Sequence, residues 1–134
     1  MRWAKWILPQ VLPALLAING AVMMLAPAWW YPRVPGVIET GAFNDHFVRD
    51  IGAAYLACAL AIAWALRDPA RGLGVAVASA TFLTLHAAIH LVTPFCGTGL
   101  PWPLLARDFP GVFLPAIVSL LVVRSCVRRQ KRTA

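Results

Sequence analysis

The sequence predicts an all-α, polytopic integral membrane protein: a bundle of four transmembrane helices with both termini in the cytoplasm. Three observations carry this. Hydrophobic residues make up 60% of the 134 and charged residues only 13%, where soluble domains average roughly 25% charged. A chain this apolar needs lipid or a large partner to cover it. Four apolar stretches, at about residues 7–27, 46–66, 73–92 and 109–127, have about the length that crosses a hydrocarbon core of roughly 30 Å. Basic residues are also unevenly placed. Arg2, Lys5, Arg67, Arg71, Arg124, Arg128, Arg129, Lys131 and Arg132 make nine at one end of such a bundle, against three at the other, Arg33, Arg49 and Arg107. Basic residues collect on the cytoplasmic side. Loops 28–45 and 93–108 are therefore expected in the periplasm, the tail 128–134 in the cytoplasm, and the protein in a bacterial inner membrane. The length fits one domain, 1–134.

In the first segment, Pro9 falls in the first turn and Pro13 in the interior, where a bundle tolerates a kink. Its basic start, apolar middle and Ala26-Pro27-Ala28 also fit a secretory signal, but the segment is taken as a retained span. Asn19, a strongly polar side chain deep in the segment, is expected to make an interhelical hydrogen bond. Prolines and glycines break the chain from Ala28 to Gly41, with Trp29, Trp30 and Tyr31 as an interfacial aromatic belt. Asn44 or Asp45 would cap the second span. There Ala53, Ala57, Ala61 and Ala65 recur every four residues, a stripe that lets a helix pack closely. Arg67 to Gly72 makes a tight turn, and the third span ends at Thr93-Pro94. Residues from Phe95 to Asp108 are expected to be an irregular loop. The fourth span has Pro110 in its first turn and Pro115 inside.

The stretch Phe43 to Tyr55 concentrates the chemistry. It holds Asn44, Asp45, His46, Arg49, Asp50 and Tyr55 where an apolar run begins, and ionisable groups near lipid mark a site by default. The topology brings His46, His86 and His90 to one level of the bundle, with Cys96 and Asp108 just beyond. His86 and His90 are four apart, one helical turn, a spacing that suits two imidazoles on one metal ion. The leading expectation is structural, each imidazole bonded to a neighbour such as Asp50 or Tyr55. The alternative is a metal site of His46, His86 and His90, completed by Cys96 or Asp50 and holding copper or zinc, with Met23 and Met24 as nearby soft ligands. Haem held by histidines from two helices is a third reading. Asp50 could orient a histidine of the third span, and Arg49 could hold Asp108, Glu39 or a lipid phosphate.

Other chemistries are excluded or poorly served. The sequence has no Gly-x-Ser-x-Gly, phosphate loop, dinucleotide fingerprint, His-Glu-x-x-His or Cys-x-x-Cys-His. Five acids leave little for a paired-carboxylate mechanism. The net charge of +7 gathers beside the last apolar run, which suits lipid headgroups, and base-reading motifs are missing, so no nucleic-acid partner is expected. Three cysteines, Cys58, Cys96 and Cys126, do not form a disulfide framework.

The size, the four spans and Val48-Arg49-Asp50-Ile51-Gly52-Ala53-Ala54-Tyr55 at the start of the second span resemble the small four-helix bacterial membrane proteins grouped as DoxX-like. That resemblance implies association with quinol-oxidising or thiol-related membrane complexes, and no catalytic residue is carried across from it. The expected function is an accessory or assembly subunit of a larger membrane complex, partnered by lipid and by other subunits or further copies, with no catalysis of its own. The alternatives are a metal- or haem-binding protein with a periplasm-facing histidine site, or a binder of a small hydrophobic molecule such as a quinone.

Overall fold

The computed structural model describes residues 4–92 and 102–133. Cys96 lies outside them. The described residues are helical, with no strand. Helix α1 spans Ala4–Leu25 and α2 Pro27–Trp30; a 3-10 turn over Val37–Thr40 follows. Helix α3 spans Asp45–Arg67, α4 Leu73–Val92, α5 Trp102–Asp108 and α6 Leu114–Thr133, with a π-helical turn, Phe109–Phe113, joining the last two.

Three helices are long and apolar enough to cross a membrane: Asp45–Arg67, Leu73–Val92 and the continuous Trp102–Arg132. Among the described side chains, α1 holds a shorter apolar stretch, Pro9–Leu25, within a helix of 22 residues. Helix α1 stays continuous through Pro9 and Pro13. The helix that begins at Trp102 is a correction to the expected loop, which ran to Asp108. Pro110 and Pro115 cannot donate to a regular α-ladder, and the chain remains helical by widening one turn, with Leu114 N–H donating to Phe109 O.

The bundle runs up and down. Helix α1 packs chiefly on α3, and α4 on α6. Leu12, Leu16, Met23, Ile62, Leu83, Val122 and Cys126 form its buried line. The closest helix crossing uses glycines and not the alanine stripe. A Cβ on Gly20 would stand 2.7 Å from Gly52 O, and one on Gly52 2.8 Å from Met23 Cβ. Ala53 and Ala57 are exposed, and Ala65 alone of that stripe is buried. The turn between α3 and α4 is equally tight, since a Cβ on Gly72 would stand 2.9 Å from Ala65 Cβ.

Candidate functional site

One end of the bundle gathers the C-terminal end of α1, the first turns of α3, the last turns of α4 and all of α5. Asn44 caps α3, its side-chain oxygen accepting from Phe47 N–H at 3.0 Å. This satisfies one orphan donor of the helix and sets where its polar first turn begins. Asp45 then pairs with Arg49 at 2.8 Å, one turn on. Arg49 also donates to Met24 O, which belongs to the last turn of α1, and so ties two helix ends together. Arg49 thus takes neither Asp108 nor Glu39, as the sequence had suggested. Asp50 does not reach a histidine of α4. It pairs instead with His46 at 3.3 Å, on the exposed side of α3, where the His46 side chain is 88% accessible.

The two histidines of α4 lie deeper. His86 and His90 have ring centres 4.8 Å apart. Tyr55, buried on α3, shares a hydrogen bond between its hydroxyl and His86 Nε2 at 3.1 Å. Phe82 stacks on His86 with an interplanar angle of 13° and meets Tyr55 edge-on. His90 Nδ1–H donates to Asp108 Oδ2 at 2.8 Å. The second Asp108 oxygen accepts from Arg107 Nε at 3.0 Å, and Arg107 also reaches Glu39 at 2.9 Å. The Asp108 side chain is only 9% exposed, so its charge is held by two cationic or donor groups rather than by water. The chain Tyr55–His86 and His90–Asp108–Arg107–Glu39 thus links α3, α4, α5 and the 3-10 turn.

No family model, curated protein or solved structure matches the chain.

The structure therefore divides the expected site. Tyr55, His86, His90 and Asp108 come together; Asn44, Asp45, Arg49, His46 and Asp50 occupy the cap and first two turns of α3. Among the described residues no three His, Cys, Asp or Glu side chains converge as an ion would require. Met23 is buried, and its sulfur receives Asn19 Nδ2–H at 3.5 Å. The partner that donates to Asn19 Oδ1 is Trp30 of α2, at 2.9 Å, so this asparagine holds the loop and not another span. Arg107 is the residue that sequence reasoning left out of the cluster. Its signal was there, an arginine adjoining an aspartate directly before an apolar run.

In electrostatic terms the site end holds its acids and bases as neighbours. The left-handed turn at Gly36, φ 85°, lies directly under the Arg107 guanidinium, which occupies the place a Cβ would need. A residue other than glycine there would meet both a strained backbone and the arginine. Arg107 is thus seated by backbone shape as well as by charge.

Proposed function

We propose that the chain is an accessory subunit of a larger membrane complex, with no reaction of its own. The observation that carries this is the closed polar network: Tyr55 with His86, His90 with Asp108, Arg107 with Asp108 and Glu39, Arg49 with Asp45. Groups paired with each other across four segments act as a clamp that fixes the shape of the bundle end. The outward faces support the same reading. Only 28–33% of each span's apolar window is buried within the chain, and Leu60 and Trp64 of α3 are exposed. The DoxX-like plan, the four spans and the cytoplasmic termini belong to this proposal. Photo-crosslinkers placed at Leu60 and Trp64 test it in native membranes. A stoichiometric adduct to one protein is expected; adducts to lipid alone would sink it.

A second reading, a metal centre, is favoured by one feature of the histidine pair. Each ring has one nitrogen engaged by another element, as metal-ligating imidazoles do, which leaves one nitrogen per ring. Two imidazoles on one tetrahedral ion, with bonds of about 2.0–2.1 Å, place their ring centres about 5 Å apart, close to the 4.8 Å seen. Elemental analysis of protein purified without chelator, beside the His86→Ala, His90→Ala double variant, decides it. Copper or zinc present in the parent and lost in the variant is expected on this reading, and its absence from both removes it.

A further inference from the structure

The opposite end of the bundle is basic. Helix α6 runs past its apolar residues and has no acidic residue anywhere from Leu114 to Thr133. Ser125, Arg128, Arg129 and Arg132 stand at i, i+3, i+4 and i+7, on one helical face, and line an open groove of about 260 Å³. Two contacts keep this part of the helix in place. Gln130 Nε2 donates to Ala70 O at 2.8 Å, and Cys126 Sγ reaches Ala65 O at 3.8 Å. The arginines are thereby presented beside the α3–α4 turn, which adds Arg67 and Arg71 against the lone acid Asp68.

We propose that this groove binds the phosphodiester headgroup of an anionic phospholipid of the phosphatidylglycerol type. Guanidinium groups match phosphate oxygens through paired N–H donors, and Arg128 and Arg132 stand one turn apart to do so. The Ser125 hydroxyl donates to Val122 O at 2.8 Å, so its oxygen is available to accept from a headgroup glycerol hydroxyl. What selects a lipid over a free anion is the strip above the groove. Ile117 and Leu121 precede Ser125 at four-residue steps on the same side of α6, and both are exposed. An acyl chain laid on Ile117 and Leu121 brings its phosphate to the arginines about two turns along, roughly 10 Å. An apolar track ending in a basic groove has the pattern of an amphiphile.

The test compares two charge-matched variants of the full chain in detergent. Arg128→Gln, Arg132→Gln removes two charges that line the groove. Arg124→Gln, Lys131→Gln removes two exposed charges of the same helix that do not line it. Binding of phosphatidylglycerol, phosphatidylcholine and inorganic phosphate is read by native mass spectrometry, with the melting temperature of each protein recorded alongside. Phosphatidylglycerol is expected to bind the parent and the off-groove variant alike, and the groove variant about tenfold or more weaker, from the contribution of two basic residues near a membrane surface. Equal weakening in both variants would show diffuse attraction and overturn the site. So would undiminished binding in the groove variant, or inorganic phosphate competing as well as the lipid. If the groove variant fails to fold, Arg128→Lys, Arg132→Lys carries the test. It keeps the charge and loses the paired donors, so binding should fall severalfold, and unchanged affinity overturns the proposal.

Discussion

Gly20 and Gly52 set how closely α1 can approach α3. A methyl on Gly20 would stand 2.7 Å from Gly52 O, a backbone atom that cannot step aside. Gly20→Ala should destabilise the bundle by about 1–3 kcal/mol, the usual cost of forcing a carbon into a filled site. Gly74→Ala, with open space around the new carbon, should be neutral or slightly stabilising, since alanine favours a helix by about 1 kcal/mol over glycine. Thermal unfolding of both in one detergent settles it, and equal shifts would dismiss the close crossing. Tyr55→Phe removes the hydroxyl that meets His86 and should cost about 1 kcal/mol, in the range found for hydrogen bonds between membrane helices; an unchanged melting temperature would show that the bond contributes nothing. The sequence made Tyr55, His86 and Asp108 visible as polar residues in or beside apolar runs. It could not show their pairings. Arg107 and Glu39 are separated by 68 positions, and only the folded approach of a loop to α5 brings them together. Arg49 illustrates the same limit, because its chosen partner is a backbone carbonyl that no pattern of side chains announces.

Elements were more legible than contacts. Hydropathy placed α3 and α4 almost to the residue, and the cap of α3 was narrowed to Asn44 or Asp45, of which the fold uses Asn44. Asn44→Ala should cost about 1 kcal/mol and speed hydrogen exchange at the Phe47 amide, whose acceptor it removes. Exchange at Phe47 as slow as in the parent would refute the capping role. The start of the last helix was not legible, since its prolines and glycine suggested a break where the backbone instead widens into a π-turn. The same holds for the small-residue stripe. Its four-residue repeat was real, but the repeat does not say which face turns inward, and Gly52 beside it took that place. Arg107 joins elements as firmly as any helix packing does, seated over Gly36 and held to Glu39 and Asp108. Arg107→Gln should loosen the Val37–Thr40 turn, read as faster proteolysis or exchange there with little change in α6. Unchanged protection of that turn would show that it is held by other contacts.

At the scale of the whole molecule the two ends have opposite characters. One carries mutually paired acids and bases, the other arginines and lysine in excess. The three spans leave most of their apolar surface outward. The π-turn ahead of α6 matters at this scale too. The turn absorbs one residue more than an α-helical turn requires, so α5 and the helix that follows keep the phase of an unbroken α-helix one residue shorter. Removing Gly111 would let the segment rewind as an ordinary helix with Asp108 still facing His90, whereas a second deletion would swing it about 100° away. The clamp at one end of the protein thus has one residue of slack between it and the apolar body, so a first deletion there would keep the pairing and a second would break it.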